Sequence, residues 1–144
     1  MKIKDCMTRR VHTVGPDATI ADAARMMAEN DVGALPVASP DRLLGMITDR
    51  DIAVRAVAAE LGPDTRVRAV MSDEVLYCFE NEEVEDVLAN MGDIQVRRLP
   101  VVDQDKRLVG IVSLSDLADD EEQAAGEALC LIAREGGQHS QSLQ

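Results

Sequence analysis

Two stretches, Gly45-Met46-Ile47-Thr48-Asp49-Arg50-Asp51-Ile52 and Gly110-Ile111-Val112-Ser113-Leu114-Ser115-Asp116-Leu117, obey one rule. Each runs glycine, two apolar residues, a hydroxyl side chain, two variable positions, an aspartate and an apolar residue. They lie at an offset of 65. Working outward, Leu35-Pro36-Val37 falls on Leu99-Pro100-Val101 at an offset of 64, so one residue has been inserted between the two blocks. At 64, Ile3 also meets Val67, Met7 meets Met71, Val11 meets Val75, Asp22 meets Asp86, Met27 meets Met91 and Val32 meets Val96. Ordered matches of this kind over most of a chain mark an internal duplication.

Both copies read alike. A short β-rich run, 11–14 and 75–79, is followed by turn or polar residues. Next comes a helix over 19–30, with Ile20, Ala23, Ala24 and Met27 on one face at helical spacing. Thr19 with Asp22 three positions on forms a capping box at its start. The second copy carries Val84, Val87, Leu88 and Met91 on the matching stripe. Two apolar runs follow, 35–38 and 43–48, joined by Ser39-Pro40-Asp41-Arg42 as a hairpin; the counterpart is 99–102, a loop over 103–107, and 108–113. A second helix begins at Asp49 and again near Leu114. One such unit covers only one face of a small sheet, so the expected fold is α/β (α+β): duplicated β-α-β-β-α units packed sheet to sheet as a pseudo-two-fold intramolecular pair. The expected divisions are 1–62 for the first repeat, 63–120 for the second, with Gly62-Pro63-Asp64-Thr65 connecting them, 121–135 for a C-terminal helix, and 136–144 for a mobile tail. The acidic run Asp119-Asp120-Glu121-Glu122 suits a helix start, and Gly136-Gly137 a helix stop.

Composition narrows the function. Apolar types make up 46% and charged types 29% of 144 residues, a globular balance and not a disordered one. With 15 basic against 27 acidic residues the net charge is −12, which works against nucleic-acid or anionic-membrane binding. Tyr77 and Phe79 are the only aromatics, so no base-stacking platform exists. No apolar run approaches the roughly 20 residues of a membrane span, and the charged start Met1-Lys2-Ile3-Lys4-Asp5 leads into no signal segment; a cytoplasmic protein is expected. Cys6, Cys78 and Cys130 are odd in number and widely spaced, fitting neither a disulfide framework nor a zinc knuckle. They read as small buried or half-buried hydrophobes.

Chemistry concentrates at the repeated block. Each copy places a hydroxyl and a carboxylate at a strand-to-helix junction, Thr48 with Asp51 and Ser113 with Asp116. Such a junction turns backbone N–H groups outward toward an anion such as phosphate. A carboxylate one turn in can accept from the vicinal hydroxyls of a ribose. The structural alternative is that both pairs are capping boxes and nothing more; repetition inside a larger duplication favours a paired ligand cleft.

With these residues in view, the chain resembles a tandem cystathionine-β-synthase (CBS) domain pair over nearly all its length to about residue 120. Asp5-Cys6-Met7-Thr8, Ala34-Leu35-Pro36-Val37 and the block 45–52 are similar to that family's landmarks, in the manner of small stand-alone bacterial proteins of the hypoxic-response type. The resemblance implies a regulatory module that binds an adenosine-containing ligand (AMP, ADP, ATP, NAD or S-adenosylmethionine) in inter-repeat clefts, requires no cofactor, and forms disc-shaped homodimers. It implies that Asp51 and Asp116 grip ribose, that Thr48 and Ser113 meet phosphate, and that Arg97 binds phosphate. Copy one has Gly33 at the position of Arg97. It also has Asp49 beside Thr48, offset by Arg50, where copy two has Leu114 and Ser115. The two clefts are therefore expected to differ. Thr13 and Tyr77 fall where the family seats adenine, although Tyr77 reads equally well as a core residue with one partner for its hydroxyl. His12 is expected on a strand as a packed or edge histidine, His139 in solvent, and Arg9, Arg10 and Arg98 on a solvated face.

No catalytic residue or metal site is expected: there is no nucleophile elbow, P-loop or Cys/His cluster. Three functions compete. The first is a ligand sensor acting on an unknown protein target in trans or through its own assembly. The second is a ligand-free dimerisation or protein-interaction module, and the third an enzyme with an unrecognised site.

Overall fold

The computed structural model describes residues 1–74, 76–118 and 121–134. Asp119, Asp120, the Gly136-Gly137 stop, His139 and the expected mobile tail lie outside the described residues.

Local chemistry accounts for the first helix. Thr19 is extended and caps α1 (Ile20–Asn30): its side chain accepts from the Asp22 N–H, while Asp22 accepts from the Thr19 N–H. Asp31, in the left-handed region at φ 53°, closes the helix. Ile20, Ala23 and Met27 are buried as expected, but Ala24 is exposed, and the stripe widens through Met26 instead. A hairpin follows, β1 (Ala34–Ala38) with β2 (Leu43–Thr48), antiparallel and in register from Ala34 opposite Thr48 to Val37 opposite Gly45. The helix predicted from Asp49 begins as a short α2 (Asp49–Asp51) and continues as a π-helix, Ile52–Val57.

The second copy repeats the order with β3 (Cys78–Phe79), α3 (Val84–Ile94), β4 (Arg98–Val102), β5 (Leu108–Ser113) and α4 (Leu114–Ala118), followed by α5 (Glu122–Ile132). Its sheet runs β3-β4-β5, with β3 parallel to β4. The first strands are shorter than the β-rich runs suggested. Among the described residues of these runs, Val14 alone pairs in copy one, bridging Val37, and Cys78 and Phe79 alone pair in copy two. His12 accordingly stands outside any strand and is exposed.

Two compact units result, and each takes its leading segment from the other repeat. One unit comprises His12–Leu76 with Lys106–Leu108. Here Ser72 exchanges backbone hydrogen bonds with Met46, and the turn Val67–Ala69 buries Val67 and Val70 with Val14, Ile20, Leu35, Val37 and Ile47. The linker Gly62-Pro63-Asp64-Thr65 is tied to the start of α1, since the Ile20 N–H donates to the Thr65 carbonyl and the Ala21 N–H to Pro63.

The other unit comprises Met1–Val11, Tyr77–Asp105 and the described residues from Val109 onward. Thr8 exchanges hydrogen bonds with Ile111, the counterpart of Ser72 with Met46. Glu83 stands where Thr19 caps α1. It makes no cap bond, but its carboxylate meets the Lys2 ammonium at 2.6 Å and the chain's first amine at 3.2 Å, which hold its pKa below the usual carboxylate range. Val84, Val87, Leu88, Met91, Leu99, Val101 and Leu117 are buried in this unit. Its α5 packs on α3 and α4 through Ala125 and Ala128. Gln95, left-handed at φ 58°, donates from its side-chain amide to the Leu131 and Arg134 carbonyls and satisfies the end of α5.

The three cysteines are thiols in unlike settings. Cys6 is half-buried and Cys78 buried, but Cys130 is exposed on α5 and is no core residue. Burial, helped by the nearby Glu82 carboxylate, pushes the Cys78 thiol up to about 12. Iodoacetamide at neutral pH should therefore alkylate Cys130 and leave Cys78 intact until the protein unfolds. Mass spectrometry of labelled peptides checks this; equal labelling of the two in native protein would refute it.

Candidate functional site

Each repeated block ends in the same built corner. At the end of β2, the Thr48 N–H donates to Asp51 Oδ2 at 3.0 Å, and the Asp51 N–H returns a bond to Thr48 Oγ1 at 3.0 Å. At the end of β5, the Ser113 N–H donates to Asp116 Oδ2 at 3.0 Å, and the Asp116 N–H to Ser113 Oγ at 3.2 Å. Ser113 and Ser115 share a hydroxyl hydrogen bond of 2.9 Å. The capping boxes are real, yet they do not exhaust these groups. A carboxylate offers about four acceptor positions on two oxygens. Among the described residues no protein donor reaches Asp116 Oδ1, and the carboxylate is only half-buried.

The two corners differ in what surrounds them. In the unit of the second repeat, the Leu114 N–H donates to the Arg97 carbonyl at 2.8 Å, which brings Arg97 beside the Ser113–Asp116 corner with its side chain exposed. Tyr77 stands one residue before the Cys78–Val101 pair, just ahead of β3, half-buried and edge-on to Phe79 at 5.5 Å. In the unit of the first repeat, the Asp49 N–H donates to the Gly33 carbonyl at 2.9 Å, an equivalent bond between unlike residues. Asp49 Oδ1 accepts from the Arg50 N–H at 2.8 Å. A Cβ on Gly33 would stand 3.1 Å from Asp49 Oδ2, so the carboxylate lies close against the place where a side chain at position 33 would begin. The Arg50 side chain is exposed, and Thr13 is half-buried just before Val14.

Arg55 is a neighbour the motif did not bring out. Its Nε lies 3.8 Å from Asp51 Oδ1, and it donates from Nη1 to the Val70 and Met71 carbonyls. The signal was present in the sequence as an Asp–Arg pair one helical turn apart. A groove of about 380 Å³ lies elsewhere, lined by Glu85, Asp93, Glu121 and Glu127 from α3 and the start of α5. Its carboxylates disfavour a phosphate, and it holds none of the corner residues.

Comparison with known proteins fits this duplicated architecture. The CBS domain matches twice, at 3–57 and 67–122. The CBS domain-containing protein YhcV of Bacillus subtilis is 45% identical over 135 residues, 92% of this chain and 96% of that protein. Hypoxic response protein 1 of Mycobacterium tuberculosis is 42% identical, covering 80% and 81%. Inosine-5'-monophosphate dehydrogenase of Methanocaldococcus jannaschii is 36% identical over 117 residues, a match that takes up only 23% of that enzyme. Among solved structures, Hypoxic Response Protein I with two coordinated zinc ions superposes with a TM-score of 0.76 at 39% identity, over 83% of this chain and 98% of that one. Among the described residues here, no group of three or more His, Cys, Asp or Glu is gathered to hold a metal ion. The CBS domain pair of protein MJ0100, in complex with 5'-methylthioadenosine and S-adenosyl-L-methionine, superposes at 0.72 with 28% identity over 83% and 94%. CBSX2 in complex with AMP does so at 0.72 with 27% identity over 85% and 96%. With two matched copies spanning most of its length and relatives above 40% identity along the whole pattern, this chain belongs to the CBS domain family as a tandem pair.

Proposed function

We propose that the protein is a non-enzymatic regulator that binds an adenosine-containing ligand at its hydroxyl–carboxylate corners and signals by a change of shape or assembly. The observation that carries this reading is the Ser113–Asp116 corner. It holds a fixed hydroxyl, a carboxylate oxygen unclaimed among the described residues, and an arginine tied alongside through its own carbonyl. In this reading Asp116 accepts from the ribose hydroxyls, Ser113 and Arg97 face the phosphate, and Tyr77 borders the base. Thr48, Asp51, Arg50 and Thr13 line the corresponding corner of the first repeat, where Asp51 takes the ribose-accepting place of Asp116. Solved relatives holding AMP, or methylthioadenosine with S-adenosylmethionine, support adenosine as the shared group.

Assembly belongs to the same proposal. Val54, Val57 and Leu61 are exposed along and just beyond the π-helix and offer an apolar face for a homodimer. A cytoplasmic location and a protein target in trans complete the reading, and bound ligand acts on either only through unequal affinity for the shapes available.

Thermal-shift titration with AMP, ADP, ATP, NAD and S-adenosylmethionine tests it. At 100 times the dissociation constant a true ligand should stabilise the protein by about 2.7 kcal/mol. Asp116→Asn keeps a capping acceptor but removes the charge, and should cut the shift produced by a phosphate-free or phosphorylated ligand held there. Absence of a shift with every adenosyl compound would favour a ligand-free interaction module; turnover of one would revive an enzyme.

A further inference from the structure

We infer that the two corners divide adenosyl ligands by charge: the second-repeat corner takes a 5'-phosphorylated adenosine, and the first-repeat corner takes an adenosyl compound without phosphate. The inference rests on the proposed function, and it adds which ligand class goes where.

The two corners share their cap hydrogen bonds to within a few tenths of an ångström, so the cap itself does not separate them. Side-chain charge does. Equivalent hydrogen bonds join residue 114 to the carbonyl of 97 and residue 49 to the carbonyl of 33. In the second repeat those positions are Leu114 and Arg97, an uncharged residue and a guanidinium suited to a phosphate. In the first they are Asp49 and Gly33. The cation is missing, and the Asp49 carboxylate stands 3.1 Å from where its side chain would begin.

The remaining charges do not reverse this. Arg55 is turned to Asp51 and to the Val70 and Met71 carbonyls, leaving Arg50 as the cation beside Asp49. A dianionic phosphate set against Asp49 would be repelled, whereas an uncharged thioether or a sulfonium at the same place would not. The ribose-gripping carboxylate, Asp51 or Asp116, is present in both corners, so the nucleoside part is read alike and only the 5' substituent is sorted.

Isothermal titration with AMP and with 5'-methylthioadenosine tests this on the full chain. Wild type should bind one AMP per chain. Arg97→Leu should weaken AMP at least about tenfold while leaving methylthioadenosine within twofold. Asp51→Asn should weaken methylthioadenosine and spare AMP. The double variant Gly33→Arg with Asp49→Leu, which makes room for the new side chain as it removes the carboxylate, should gain a second AMP site. Two AMP sites of similar affinity in wild type, or AMP binding lost with Asp51→Asn and kept with Arg97→Leu, would overturn the division while leaving adenosine binding intact. If neither compound binds, the adenosine reading falls, and this inference with it.

Discussion

Gly45→Ala is expected to lose about 3–5 kcal/mol of folding stability, a large share of the roughly 5–15 kcal/mol margin of a typical domain. Gly45 lies within β2, next to Met46, whose N–H and carbonyl exchange hydrogen bonds of 3.0 and 2.9 Å with Ser72. A methyl at position 45 would collide with the Ser72 carbonyl oxygen, with the carbonyl carbon 3.3 Å away and Asp73 Cα at 3.5 Å. These are backbone atoms, so no rotamer change relieves the overlap. Either the Ser72–Met46 pairing opens, at about 1 kcal/mol per hydrogen bond, or β2 shifts and disturbs the fully buried Ile47. At Gly110 a methyl meets chiefly the flexible Met7 side chain, Sδ at 2.6 Å, with the Thr8 carbonyl at 3.0 Å, so Gly110→Ala should cost less. Gly126 on α5 has nothing within 4 Å, and Gly126→Ala should gain about 0.5–1 kcal/mol of helix propensity. Urea denaturation of the three variants gives the order, and a Gly45→Ala midpoint no lower than that of Gly126→Ala would refute the close-approach argument.

The same glycines show what was legible in the sequence. Helix starts, hairpins and corners depend on signals a few residues apart: Thr19 with Asp22, Leu35-Pro36-Val37 with its polar loop, Thr48 with Asp51. These came through because the interactions that make them are local. The exchange of leading segments did not come through. Whether residues 67–72 pack with the first repeat or the second is decided by pairing across long stretches of chain, and the hydrophobic period of the segment suits either. A glycine in the interior of both β2 and β5 was the available hint, since it marks a close backbone approach. The π-helix of Ile52–Val57 had no local mark. At the site, residue types and their corners were legible. The seat of the Asp49 carboxylate over Gly33, and the turn of Arg55 toward Asp51, were not, because both depend on where long or free side chains settle in three dimensions.

Leu117→Ala is expected to cost about 2–5 kcal/mol and to weaken ligand binding at the second-repeat corner as well. Five residues cannot sustain a helix alone, so α4 depends on its anchors: the Ser113–Asp116 box at its start and Leu117, 1% exposed, at its buried face. Asp116 is held in place from both sides, by a cap that uses one of its own oxygens and by the neighbour that pins the turn. Emptying the Leu117 site leaves a cavity under that turn, and a cap bond worth about 1 kcal/mol does not hold it against fraying. Met91→Ala, at an equally buried position, removes a similar side chain from α3 and leaves the residues of α4 itself unchanged. Both variants should therefore fall in urea midpoint, but only Leu117→Ala should also raise the dissociation constant of a ligand dependent on Asp116, measured where each variant is still folded. Equal loss of affinity in the two would mean that binding follows global stability and not the local seating of the Asp116 carboxylate.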